Sequence, residues 1–148
     1  MDQAQRALVF RLFNEIGIIS QLGRAMMDAR LPGGLSTTHF SVVNHLSTRP
    51  QGQTPLALAN AFQVPKNTMT HTLSGLEREA LIALHKNPQD GRSKLVRITE
   101  KGFAFREAAI QALDPDLMAF AETFDIETIT NLVSQLAEMR VFLDAARD

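Results

Sequence analysis

The sequence predicts a mostly α, α+β domain with one small β hairpin. Three observations carry this. Apolar residues recur at helical spacing over most of the chain, and they change to alternation on either side of the turn-rich stretch Asn87-Pro88-Gln89-Asp90-Gly91-Arg92. The length of 148 residues, with 45% hydrophobic and 21% charged, fits a single globular domain, 1–148. No apolar run approaches the roughly 18 residues of a membrane span, and the opening MDQAQR lacks the order of a signal peptide. A cytoplasmic chain with no membrane partner is expected.

Taken in order, residues 4–30 carry two helix-spaced apolar stripes, one through Leu8, Leu12, Ile16, Ile19 and Met26, the other through Val9, Phe13, Ile18, Leu22 and Met27. One stripe serves a chain's own core, so two predict burial on two sides, one against that core and the other against a partner subunit. Leu31-Pro32-Gly33-Gly34 stops this helix, and Ser36 is a helix-capping residue for a second, with His39, Val42, Val43 and Leu46 inward. Thr54-Pro55 reads as N-cap and first residue of a short third helix containing Leu56, Leu58, Ala59 and Phe62. After the turn at 63–65, residues 66–79 place Met69, Leu73 and Leu76 inside and leave Lys66, Asn67, Thr68, Thr70, His71 and Ser74 polar. Residues 82–99 form the hairpin. Thr99 caps a further helix whose apolar positions run through Phe103, Ile110, Leu113, Leu117 and Phe120, and Asp114-Pro115 either kinks it or divides it in two. Asp125 opens the last helix, with Ile126, Ile129, Leu132, Val133, Leu136, Met139 and Leu143 at helical spacing.

Composition excludes several chemistries. Without cysteine there is no disulfide, thiolate nucleophile, cysteine zinc site or thiol switch. His39 and His45 are off a shared helical face, so no metal site is expected, and no cofactor motif is found. No G-x-S-x-G, phosphate loop or paired carboxylate in an apolar setting supports an enzyme. Nine Phe are the only aromatics, a poor stacking platform for single-stranded nucleic acid.

The net charge of −1 hides a division. Residues 49–101 hold eight basic side chains (Arg49, Lys66, Arg78, Lys86, Arg92, Lys94, Arg97, Lys101) against four acidic ones (Glu77, Glu79, Asp90, Glu100). The remainder is acidic. A basic middle on an otherwise acidic chain suits either a polyanion-binding face or a solvated surface.

Two short helices with a tight turn between them, followed by a two-stranded wing, make a winged helix-turn-helix, in which the second helix enters a DNA major groove. Here that helix is 66–79, and Lys66, Asn67, Thr68, Thr70 and His71 can reach phosphate or base edges. The stretch LALANAFQVPKNTMTHTLSGLEREALI, then the wing NPQDGRSKLVRITEKG, resembles the MarR family of winged-helix transcription regulators over nearly the whole chain. The most specific pieces are Asp90-Gly91-Arg92 at the wing tip and Ile98-Thr99-Glu100-Lys101-Gly102 closing the second strand.

The resemblance implies a homodimer joined through helices at about 4–30 and 103–146, with a DNA-binding lobe at about 36–100. It also implies recognition helices in successive major grooves of double-stranded DNA bearing an inverted repeat, wings in the minor groove, and repression relieved by a small-molecule effector. The chain departs from the family at Pro65, where Ser is common, at His71, where Arg is frequent, and at Ala80, where Gly commonly ends the helix. For Asp90 and Arg92 two roles stand: the carboxylate orients a guanidinium that enters the minor groove, or the two form an ion pair that closes the turn. Lys94 reaches a phosphate near the wing or fills a strand's solvent face. His39 lies where the resemblance implies a ligand pocket, and it also suits a satisfied core position. The alternative function is a winged-helix protein-interaction module that does not bind DNA.

Overall fold

The computed structural model describes residues 1–146, in two compact units, Met1–Ala112 and Leu113–Asp148, of which the last two residues are outside the described set. The first unit contains α1 (Gln3–Asp28), α2 (Thr37–Ser47), α3 (Pro55–Phe62), α4 (Lys66–Arg78), β1 (Ile82–Lys86), β2 (Lys94–Ile98) and α5 (Glu100–Gln111). The second contains α6 (Asp114–Thr123) and α7 (Ile126–Ala145). The predicted α+β class and element order are those observed.

Helix starts follow from side chains that take the first unsatisfied amides. Asp2 accepts from the Gln5 amide at 2.8 Å while Gln5 accepts from the Asp2 amide at 3.1 Å, closing a capping box on α1. At α2 the arrangement is less local. Ser36 holds the N-cap position, but the Thr37 amide and hydroxyl both donate to Asp28 at the end of α1, and these bonds hold the Asp28 carboxyl below its ordinary pKa. Thr54 caps α3 by accepting from Ala57, Thr99 caps α5 by accepting from Gly102, and Asp125 caps α7 by accepting from Thr128. Hydrogen bonds from Thr128 likewise lower the Asp125 pKa.

The core of the first unit lies where α2, α3, α4 and the hairpin meet. Val42, Val43, Leu46, Leu58, Leu76 and Val96 are fully buried there. Burying each such side chain is worth roughly 1.5–3 kcal/mol, which makes this cluster the main source of the lobe's stability. The wing is antiparallel, pairing Ile82 with Ile98 and Lys86 with Lys94. Gln53 adds a bridge to Val96 on the other edge of β2, donating to its carbonyl at 3.1 Å and accepting from its amide at 2.8 Å. Sequence alternation could not reveal a one-residue strand.

One local expectation is corrected. Phe103, assigned inward, is exposed, and Phe105 packs on the core instead, because Gly102 is pressed against the Leu81 carbonyl and sets the phase of α5. Pro65 is the N-cap of α4, which begins at Lys66 after the predicted turn at 63–65. Of the two outcomes open at Asp114-Pro115, division is the one observed: α6 begins there, with Pro115 in the first turn, where its missing amide costs no hydrogen bond.

Much apolar surface is uncovered. On α1 only Met27 is buried, while Leu8, Phe10, Ile19 and Leu22 are more than 60% exposed. On α7 no residue is buried, and Ile126, Val133 and Phe142 are exposed. No described helix is long and apolar enough to cross a membrane.

Candidate nucleic-acid interface

The α4 helix owes its pose to five buried residues, Met69, Thr72, Leu73, Gly75 and Leu76, which seat one side on α2, α3 and β1. Their spacing turns Asn67, Thr70, His71, Ser74 and Arg78 outward, and all are exposed. Pro65 offers no side-chain cap, and Asn67 Oδ1 takes over part of that role by accepting from the Thr68 amide at 2.9 Å. Two outward hydroxyls are engaged with the helix itself. Thr70 donates to the Lys66 carbonyl and Ser74 to the Thr70 carbonyl, both at 2.9 Å.

The end of α4 is held to the wing by the Ile98-to-Gly102 segment. Ala80 has a left-handed backbone (φ 57°), and the Leu81 amide reaches back to the Leu76 carbonyl at 2.9 Å, as in a Schellman ending. Thr99 Oγ1 donates to the Ala80 carbonyl at 2.7 Å, and Lys101 Nζ donates to the Glu79 carbonyl at 2.8 Å. This fastening fixes the wing relative to α4.

Between them lies an open groove of about 420 Å³, lined by Thr54, Pro55 and Leu56 from the start of α3, Lys66 from α4, and Leu84, Asp90, Arg92, Ser93 and Lys94 from the wing. Four of the predicted DNA-binding residues, Lys66, Asp90, Arg92 and Lys94, thus surround one concavity, three of them cationic. Asn67, Thr68, Thr70 and His71 stand on the adjoining exposed surface of α4 and do not line it. Thr54 lines the groove although its sequence position marked it only as a cap. Ser74, read as merely polar, shares the outward stripe of Asn67, Thr70 and His71; the i, i+3, i+4, i+7 spacing was the available signal.

At the wing tip Asp90 holds the turn through the backbone. Its carboxylate accepts from the Arg92 backbone amide at 2.9 Å, and among the described residues no ion pair joins it to the guanidinium. Ser93 donates its amide to the Asp90 carbonyl at 3.2 Å, and Asn87 donates to the Ser93 hydroxyl at 2.8 Å. Asp90 therefore shapes the turn as an Asx-type acceptor, and Arg92 is left to project from a fixed backbone. Arg97 is engaged elsewhere, its Nε donating to the Gln51 carbonyl at 3.1 Å.

His39 sits beneath α4. Its Nδ1 accepts from the Ser36 amide at 3.1 Å and lies 3.0 Å from the Ser36 hydroxyl, which leaves the proton of the neutral ring on Nε2, facing Gly75. Burial, and then the charges of His71 and Arg78, lower its pKa below the ordinary histidine value. His45 is satisfied by Gln53 Oε1 at 2.7 Å and packs edge-on against Phe62. His85 is exposed on β1.

No protein-family model matches the chain. Among solved structures it is similar to a cysteine-to-serine variant of MarR from E. coli complexed with operator DNA, at 21% identity and a TM-score of 0.71, covering 94% of this chain and 99% of that one. It is also similar to the transcriptional regulator BldR from Sulfolobus solfataricus, at 25% identity and a TM-score of 0.71, covering 95% and 99%. A third similar structure is the PcaV transcriptional regulator from Streptomyces coelicolor in complex with its natural ligand, at 18% identity and a TM-score of 0.62, covering 83% and 89%. With the element order, the bridged wing and the seated α4 already described, these likenesses assign the chain the winged helix-turn-helix fold of the MarR regulators.

Proposed function

We propose that this chain is a homodimeric, sequence-specific regulator of transcription that binds double-stranded DNA, with α4 in the major groove and the wing in the minor groove. The observation that carries the reading is the groove shared by Lys66, Arg92 and Lys94. It sets three cations around one concavity beside an exposed polar helix face, as a phosphate backbone flanked by base edges requires. The operator complex of the similar MarR variant supports the same use of the fold. The described residues offer no group of three metal-ligating side chains, and the reading calls for no cofactor and no catalysis.

The dimer rests on area. The exposed apolar side chains of α1 and, separately, those of α7 form helix faces that a twofold pair would cover symmetrically. Two recognition helices about 34 Å apart then meet an inverted repeat with half-site centres about 10 bp apart. Regulation is by repression. The ligand-bound state of the similar PcaV supports release by a small molecule, and His39, whose ring joins the start of α2 to the recognition helix, is the residue through which such a ligand would be felt.

The test is binding to duplex DNA flanking the protein's own coding region, followed by anisotropy in rising salt, with light scattering on the free protein. A dimer that footprints a dyad with a steep salt dependence is expected. A monomer at micromolar concentration, or footprints with no dyad, overturns the homodimer. No DNA binding at low salt leaves the protein-interaction alternative in its place.

A further inference from the structure

We infer that Asp28 and Thr37 form a latch that fixes the pose of α1 on the DNA-binding lobe, and so sets which half-site spacing the protein accepts. The inference rests on the homodimeric DNA-binding reading above and adds what determines the spacing.

The joint between α1 and α2 is open in construction. Among the described residues of α1 Met27 alone is buried, and the connection Leu31-Pro32-Gly33-Gly34 contains two glycines with no atom near the place a side chain would take. Gly34 has a left-handed backbone (φ 87°). Across this joint two hydrogen bonds converge on one atom. The amide of Thr37, the first residue of α2, donates to Asp28 Oδ1 at 2.6 Å, and the Thr37 hydroxyl donates to the same oxygen at 2.5 Å. The hydroxyl also lies 3.2 Å from the Arg24 carbonyl, one turn earlier in α1. These bonds, the hydroxyl's first and the amide's second, hold the Asp28 carboxyl below its usual range and keep it a charged acceptor.

The position of the carboxylate suits a joint and not a helix. At the last residue of α1 a negative charge stands at the unfavourable end of that helix's dipole, whereas the N-terminus of α2 favours it. What Asp28 contributes is therefore made between the two helices.

The length of α1 turns a small angle into a large displacement. Leu8, Val9, Phe10, Leu12 and Phe13 are exposed and stand 15 to 20 residues before Asp28, about 22–30 Å along the axis. A tilt of about 10° at the latch moves them by roughly 4–5 Å, more than the roughly 3.4 Å rise of one base pair. A partner held by that half of α1 carries its recognition helix with it. One base-pair step also turns a half-site by about 34°, so its major groove no longer faces the helix meant for it.

The experiment measures the full-length protein on duplexes that carry its selected inverted repeat with the half-site centres moved together or apart by one and two base pairs, and on a single half-site. Wild type, Asp28→Ala, Asp28→Asn and Thr37→Val are compared, with light scattering and circular dichroism on each free protein. Wild type should bind one spacing best. Asp28→Ala should lose roughly three- to tenfold of the discrimination against neighbouring spacings, the range that one or two hydrogen bonds of ordinary net worth enforce. Its single-half-site affinity, dimer mass and helix content should stay as in wild type. Thr37→Val keeps the amide bond and should lose less, and Asp28→Asn, whose Oδ1 still accepts both bonds, should stay close to wild type. Should Asp28→Ala unfold, Thr37→Val decides on the same measurement. A wild-type spacing profile in both Asp28→Ala and Thr37→Val overturns the inference, and so does a loss that is equal at every spacing and on the single half-site, which marks a role in folding alone. Both results leave the DNA-binding dimer standing. A wild type that is monomeric, or that binds without a dyad, overturns the homodimer and the inference with it.

Discussion

The Nε2 of His39 stands against the backbone of Gly75, so close that a methyl carbon added to the glycine would lie 2.8 Å from the ring nitrogen. The glycine in the middle of α4 thus makes room for a side chain from α2. This approach couples the start of one helix to the recognition helix through a single imidazole.

Gly75→Ala tests that coupling. Alanine is favoured over glycine in a helix interior by about 0.8–1 kcal/mol, but here it displaces a ring whose Nδ1 accepts the Ser36 amide. In the wild-type background we expect no gain and a loss of up to about 1 kcal/mol in urea unfolding. In a His39→Ala background the same substitution should stabilise by about 1 kcal/mol. Equal effects in both backgrounds would show that the ring and the glycine are not coupled.

Acid should weaken the lobe through the same residue. The folded-state pKa of His39 is lowered, chiefly by burial and then by His71 and Arg78, so the unfolded chain binds more protons between that lowered value and about 6.5. Stability is full above about 6.5 and falls as pH drops through the window toward the folded pKa. The size is reduced by the ring's partial exposure. His39→Gln should flatten the pH dependence of the unfolding midpoint between about pH 7 and 5, and an unchanged slope would assign the acid sensitivity to other groups.

Two substitutions near the end of α4 should move stability in opposite directions. A Cβ on Gly102 would collide with the Leu81 carbonyl oxygen and lie 2.7 Å from Ile98 Cγ1, so Gly102→Ala should cost about 1–3 kcal/mol. Ala80→Gly relieves a left-handed alanine and should gain about 1 kcal/mol. Thermal unfolding reads both, and a stabilising Gly102→Ala would contradict the close approach.

At the wing, Arg92→Ala should weaken DNA binding more than Lys94→Ala, since a guanidinium in the minor groove meets a focused negative potential. Removing one phosphate-type interaction per subunit should flatten the slope of log affinity against log salt by roughly 0.9 each, so by about 1.8 for a dimer. Asp90 should separate by shape and not by charge. Asp90→Asn keeps an oxygen for the Arg92 amide and should bind nearly as wild type, whereas Asp90→Ala frees the turn and should lose affinity. Equal losses in the two Asp90 variants would return the carboxylate's charge to the explanation.

The helices and their stops were legible from the order of residues alone, because capping residues, proline, glycine and apolar spacing act within a few residues of one another. Thr54, Thr99 and Asp125 cap where their positions said they would. Motif and charge likewise marked Lys66 on the helix and Asp90, Arg92 and Lys94 on the wing, although only packing brings the four around one groove. What depends on residues distant along the chain emerged only from packing in three dimensions. Beside the Ser36 cap that the sequence marked, the start of α2 is tied to Asp28, nine residues before Thr37, and the wing is bridged by Gln53, far from Val96 in sequence. The phase of α5, which exposes Phe103 and buries part of Phe105, follows from the approach of Gly102 to the Leu81 carbonyl. Periodicity reports a helix's apolar faces but not which of them its own core will occupy. The stripes of α1 and α7 could therefore be read in advance, along with the excess of apolar area, while which side chains stay bare could not: burial belongs to the packed neighbours, and a helix cannot specify those alone.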